Sequence, residues 1–133
     1  MAKQSDPVDR RVQKTKLALR QALLSLLARK AWDEISIQEL CEQGNVGRST
    51  FYLHFQSKEA LLCEGLADLG NFLATQSLSE PGRCLPFLRG LLEHMAEQKA
   101  AFRAVIGRRS GHGVVLRFKD MVVQLVLTEL RRQ

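Results

Sequence analysis

The residues between Glu42 and Glu59 are the part of the chain best suited to contacting an anionic polymer. These sixteen residues contain no carboxylate, although 26% of the chain is charged, so a phosphate can approach them without repulsion. They include Arg48, whose guanidinium could donate two hydrogen bonds to a guanine, a contact worth roughly 1–3 kcal/mol of discrimination between bases. The chemistry predicted here is recognition of DNA.

Helical periodicity divides the side chains of this segment between two faces. Val46, Phe51 and Phe55 have the spacing of an inward stripe. The outward face then presents Arg48, Ser49, Tyr52 and Leu53, with Thr50 and His54 at its edges. Such a face suits the major groove, but it could also dock another protein, and binding that is insensitive to salt would indicate that alternative.

Two residues at the border of this face have alternative interpretations. Lys58 lies in the first turn of the following predicted helix, where the helix dipole disfavours a cation. It either shares a phosphate with the helix N-terminus or is an ordinary surface lysine. His54 either donates a hydrogen bond to a phosphate or caps the end of its own helix.

The element before this segment is predicted from its start signals. Ser36 and Glu39 have the spacing of a capping box, and Ile35 and Leu40 occupy the two positions of a hydrophobic staple. A short helix therefore begins after Ser36.

A turn and a second short helix follow. Gly44-Asn45 tolerates the left-handed backbone that ends a helix, and the next helix is predicted from about Arg48 to Phe55. A short helix, a tight turn and another short helix form a helix-turn-helix, although an ordinary helical corner has the same local pattern.

The rest of the chain is also predicted to be helical, because no segment shows sustained two-residue alternation. A first helix is expected over residues 10–30, a fourth after Ser57, two shorter ones near residues 85–95 and 102–106, and a last one reaching Arg132. The predicted fold class is all-α: a three-helix DNA-binding domain followed by a short helical regulatory domain.

Composition excludes several classes of function. Residues 1–60 and 61–133 each carry 10 basic and 7 acidic side chains, so the net charge of +6 does not locate a binding face. The three cysteines are widely spaced, with no C-x-x-C pair, which predicts neither a disulfide framework nor a zinc site. No nucleophile–base pair, metal cluster or pair of carboxylates marks an active site, so we expect no enzyme, cofactor or metal.

The chain is expected to be soluble and cytoplasmic, with no membrane partner. No apolar run approaches the ~20 residues of a membrane span, and the N-terminal residues lack the apolar core of a signal peptide.

The stretch from Ile35 to Leu62 resembles the DNA-binding signature of the TetR family of bacterial transcription regulators. Its most specific part is Thr50-Phe51-Tyr52-Leu53-His54-Phe55, followed by Ser57-Lys58-Glu59 and Leu61-Leu62. Upstream, Thr15, Leu19, Ala22, Leu26 and Leu27 resemble the first helix of the family, so the resemblance spans roughly residues 10–66. This chain has Asn45 where the family usually has glycine, and Gly47 where it usually has a capping Ser or Thr.

The resemblance implies roles for individual residues. The positions that match base contacts are Gln38, Gly47, Arg48, Ser49 and Tyr52. The positions that match phosphate contacts are Thr50, Leu53, His54 and Lys58.

The resemblance also implies an organisation for the whole chain: a flexible arm at residues 1–9, a helix-turn-helix domain at 10–56 and a regulatory region at 57–133. Family members are commonly longer than these 133 residues, so we expect the regulatory region to be incomplete and the family's homodimer to be in doubt.

The expected function is a repressor that binds a palindromic operator in double-stranded DNA and responds to a small-molecule effector. The alternative is a helical protein-interaction module.

An effector would need an apolar pocket in the regulatory region. The candidate lining residues are Phe72, Phe87, Met95, Phe102 and Met121, each of which could equally be plain core. The glycine-rich segment at residues 107–113 lacks the Gly-Lys-Ser/Thr ending of a P-loop and is predicted to be a loop.

Overall fold

The computed structural model describes residues 6–80, 82–106 and 112–132. Within these residues the chain forms α-helices and one 3₁₀ turn but no strand, which confirms the all-α fold. The helices are α1 (Pro7–Leu27), α2 (Ile37–Gly44), α3 (Arg48–His54), α4 (Lys58–Leu78), α5 (Phe87–Glu97), α6 (Lys99–Ile106) and α7 (His112–Arg132), with the 3₁₀ turn at Trp32–Glu34. No helix in the described ranges is both long and apolar enough to span a bilayer.

Helix α1 begins at Pro7, three residues earlier than predicted, so residues 7–9 are not an arm. The carboxylate of Asp6 accepts a hydrogen bond from the backbone N–H of Val8 at 3.1 Å, and proline is favoured in the first turn because it lacks an N–H to satisfy. Periodicity did not reveal this start, because the first turns of α1 are mostly exposed. The helix ends at Leu27, three residues before the predicted end at residue 30.

The predicted loop at residues 107–113 falls mainly outside the described residues. Its last two positions, 112 and 113, belong to the first turn of α7.

Two groups of buried side chains form the core. The first lies beneath the helix-turn-helix, between α1, the 3₁₀ turn, α2, α3 and the start of α4, and it includes Ala101, Val105 and Val114 from α6 and α7. The second lies between α4, α5 and α7 and consists of Leu69, Leu73, Phe87, Leu91 and Leu125. Helix α4 contributes to both groups, so it connects the helix-turn-helix to the rest of the chain.

Candidate nucleic-acid interface

The N-terminus of α2 is formed by the two signals found in the sequence. The Ser36 hydroxyl accepts a hydrogen bond from the backbone N–H of Glu39 at 3.1 Å, which confirms the N-cap. Ile35 and Leu40 are both buried in the first core group, as a hydrophobic staple requires. The start of α2 is therefore set by local chemistry.

The turn between α2 and α3 depends on two adjacent residues with different roles. Asn45 adopts the left-handed conformation, with φ 53° and ψ 47°, which confirms the predicted helix stop. A Cβ on Gly44 would lie 3.3 Å from the carbonyl oxygen of Ala18 in α1, so glycine permits α2 to approach α1 closely.

Helix α3 presents the two predicted faces. Phe51 and Phe55 are buried, and Val46 packs against the same core group. On the opposite side, Tyr52 is 50% exposed and Leu53 is 80% exposed. The structure also leaves Arg48 and Ser49 exposed, and Thr50 and His54 half-buried. The helix begins after Gly47, which has no side chain to cap it.

Three of the five residues predicted to contact bases lie close together. Gln38, Gly47 and Arg48 border one shallow depression between α2 and α3. Glu42 lies in the same depression, where its carboxylate accepts a hydrogen bond from the Gln38 amide at 3.1 Å. One negative charge therefore borders the face at its α2 edge.

Lys58 is the residue whose surroundings differ most from those expected. Its half-buried ammonium donates to the carbonyl oxygens of Trp32 at 2.7 Å and Ile35 at 3.0 Å. It also lies 4.5 Å from the centre of the Trp32 ring. Nothing in the residues around position 58 signals these partners, because they are 26 and 23 residues away.

Two groups on α2 have shifted proton affinities. A hydrogen bond from Lys30 is the main cause that lowers the pKa of the Glu39 carboxyl, and Ser36 contributes in the same direction. Burial raises the pKa of the Cys41 thiol, because an anion there would lose its hydration. In the described part of the chain, no group of His, Cys, Asp and Glu side chains is arranged to hold a metal ion.

A separate apolar cavity of about 300 Å³ lies between α1, α4, α6 and α7. Of the predicted pocket residues, Phe72 and Phe102 line it. Phe87 and Met95 belong instead to the second core group, and Met121 borders a different depression between α4 and α7.

The sequence analysis missed most of the cavity lining. Leu23 and Leu27 reach it from α1, which was assigned to the DNA-binding domain alone, and His94 and Gln98 supply polar groups. The apolar stripe of α1 was visible in the sequence, but it did not indicate that part of this stripe faces a cavity.

Comparison with known proteins identifies the helix-turn-helix and the fold around it. The family described as "Bacterial regulatory proteins, tetR family" matches residues 19–64. Over 56 residues, 41% of this chain, the sequence is 43% identical to the uncharacterized HTH-type transcriptional regulator YxbF of Bacillus subtilis, and the match spans 15% of that protein.

A solved structure extends the similarity over nearly the whole chain. The crystal structure of a TetR transcriptional regulator from Streptococcus agalactiae superposes with a TM-score of 0.69 and 33% sequence identity, over 94% of this chain and 69% of that one. Similarity of both sequence and structure over this length confirms the resemblance, and the chain belongs to the TetR family of bacterial regulatory proteins.

Proposed function

We propose that this chain regulates transcription by binding double-stranded DNA through α3. The observation that carries the proposal is the outward face of α3, where Arg48, Ser49 and Tyr52 are exposed on a helix without a single acidic residue. An α-helix fits the major groove, and residues near its N-terminus reach base edges.

The contacts divide into those that specify sequence and those that position the protein. Gln38, Gly47, Arg48, Ser49 and Tyr52 face base edges in this proposal. Thr50 and His54 donate hydrogen bonds to phosphates, and Leu53 makes only an apolar contact there because it has no donor.

Selection of bound sequences from random DNA tests the proposal. We expect one sequence to be enriched, and a palindrome would indicate that two copies of the chain bind together. Arg48→Ala should relax the preference at one base position and weaken binding by roughly 1–3 kcal/mol. The matched control is Arg89→Ala, an exposed arginine on α5, which should bind as the wild type does.

The opposite outcome favours a protein-interaction module. If no sequence is enriched and DNA binding shows no salt dependence, α3 does not read DNA. The highly exposed Leu53 beside Tyr52 would then be the centre of a protein-docking face.

We infer that the protein is a repressor controlled by a small molecule that binds in the 300 Å³ cavity. The walls are mainly aliphatic and aromatic. The few polar side chains in the lining include Asp68, His94 and Gln98. The ligand class that fits is a mainly apolar molecule. Because α1 and α4 both line the cavity, a ligand there would favour a different arrangement of the helices that carry the helix-turn-helix.

An uncharged fluorescent probe, N-phenyl-1-naphthylamine, tests the cavity. We expect the wild type to bind it and Gly65→Phe to bind it at least ~10-fold more weakly, because the new ring fills the space beside Arg20. Gly113→Phe is the matched control, since Gly113 does not line the cavity and a Cβ there meets no described atom within 4 Å. Equal binding by wild type and Gly65→Phe would exclude this cavity as the site.

A further inference from the structure

We infer that Lys58 positions the helix-turn-helix and does not act as a phosphate contact. Its ammonium connects the first residue of α4 to the 3₁₀ turn that immediately precedes α2. These two points flank the helix-turn-helix in the chain, so the contact joins its beginning to its end. We call the hydrogen bonds from Lys58 to Trp32 and Ile35 the Lys58 clasp.

The donors of Lys58 are largely used inside the protein. An ammonium has three N–H groups, and two of them are directed at the carbonyl oxygens of Trp32 and Ile35. The Trp32 ring, itself 3% exposed, lies beside the ammonium and adds a cation–π attraction. One N–H remains, so Lys58 could bind a phosphate with two donors only by leaving one of the two carbonyls without this partner.

The position of the charge supports the same conclusion. A cation in the first turn of a helix is disfavoured by the helix dipole. Two carbonyl dipoles and an aromatic face offset that cost, because each presents negative potential to the ammonium. A lysine without such partners would have no electrostatic reason to stay there.

The Lys58 clasp also connects the part of α4 that lines the cavity to the segment that leads into α2 and α3. Leu61, Leu62 and Leu66 follow Lys58 on α4, and all three line the cavity. Any displacement of the first turns of α4 therefore pulls on the 3₁₀ turn, which leads through Ile35 into the N-cap of α2. Lys58 is thus a positioning residue that transmits the position of α4 to the helix-turn-helix formed by α2 and α3, which we call the reading head.

The first experiment separates the clasp from a phosphate contact, and it rests on the proposed DNA binding. Lys58→Met keeps the apolar stem and removes the donors. We expect about a tenfold loss of affinity for the selected DNA, with the slope of log affinity against log salt unchanged between about 50 and 200 mM. Loss of a phosphate contact would instead reduce the slope by about 0.9. That reduction, or an unchanged affinity, would overturn the inference.

Two matched variants sharpen this measurement. Lys99→Met removes the same charge from the exposed start of α6 and should leave affinity nearly unchanged. Lys58→Arg keeps the charge and is expected to fold. Its wider, longer guanidinium does not fit the position of the ammonium, so affinity should also fall. A phosphate site would accept arginine without loss, and retained affinity in Lys58→Arg would contradict the clasp.

A second experiment needs no DNA, so it separates failure of the clasp from failure of the proposed function. Trp32 is the only tryptophan of the chain, and its ring lies beside the ammonium. Lys58→Met should shift the emission of Trp32. It should also move the backbone amide resonances of α2 and α3, but not those of α5. If Trp32 emission and the α2 and α3 resonances stay as in the wild type, Lys58 does not position these helices.

Discussion

Asn45 shows how one residue controls the geometry of the reading head. Its backbone is left-handed, a conformation that asparagine tolerates better than other residues with a side chain, although glycine tolerates it best. Its side chain is exposed, so its contribution comes from conformation more than from packing.

We expect Asn45→Ala to lower the free energy of unfolding by about 1–2 kcal/mol, because alanine pays the full cost of the left-handed backbone. Asn45→Gly should stay close to the wild type, since relief of strain is offset by about 0.5–1 kcal/mol of chain entropy. Urea denaturation measures both. The control is Asn71→Ala on the exposed side of α4, and an equal loss there would show that the conformation of Asn45 is not responsible.

The three cysteines offer a test of burial at single residues. Cys41 is buried, Cys63 is half-buried and Cys84 is exposed, and burial raises the pKa of Cys41. A raised pKa leaves less reactive thiolate at any given pH. Iodoacetamide at mildly alkaline pH should therefore label Cys84 first and Cys41 last, as followed by peptide mass spectrometry. Labelling of Cys41 as fast as Cys84 in the folded protein would contradict the buried position of α2.

Among the elements, α4 has the widest range of roles. Its first residue forms the Lys58 clasp, its middle lines the cavity, and its later turns pack in the second core group. Two ion pairs, Lys16–Glu64 and Arg20–Asp68, also connect it to α1. Because these pairs are partly exposed, they contribute little stability, and the apolar contacts hold the two helices together.

The stability of α2 can be tested through its cap. Ser36→Ala removes the acceptor for the Glu39 N–H and should cost about 1 kcal/mol in the free energy of unfolding. Ser25→Ala, at an exposed position within α1, should cost nothing because alanine is the better helix former. If both variants unfold at the same urea concentration, Ser36 does not stabilise α2 as a cap.

For the whole molecule, the core beneath the helix-turn-helix is shared with later helices. Ala101, Val105 and Val114 are buried in the same group as Phe51, so α6 and α7 complete the interior beneath the reading head. The sequence-based boundary near residue 56 therefore separates segments of chain whose side chains pack together.

A shared core implies a single unfolding transition. Val105→Ala removes buried methyl groups beneath the helix-turn-helix and should lower the free energy of unfolding by about 2 kcal/mol. Trp32 fluorescence, which reports on the head, and circular dichroism, which reports on all helices, should shift together. Val123→Ala, at an exposed position on α7, is the control and should change little. If the unfolding transition followed by Trp32 fluorescence is the same in Val105→Ala as in the wild type, the reading head is stable independently of α6 and α7.

The reading head was predictable because its signals are local. Ser36 acts on an N–H three residues away, and the backbone of Asn45 acts at its own position. The inward spacing of Phe51 and Phe55 follows from the helical repeat. Such signals need no knowledge of distant parts of the chain.

The Lys58 residue marks the limit of that reasoning. The sequence by itself determined that a cation stands in the first turn of α4, on the border of a face without acidic residues. Only the tertiary structure decided that this cation donates hydrogen bonds to the carbonyl oxygens of Trp32 and Ile35, which precede the helix-turn-helix in the chain. Only the tertiary structure decided, too, that Phe72 lines a cavity while Phe87 is buried in the core. The physical reason is that helix starts and faces depend on neighbours within one or two turns. Partners and cavities depend on which faces meet after the chain has folded back on itself.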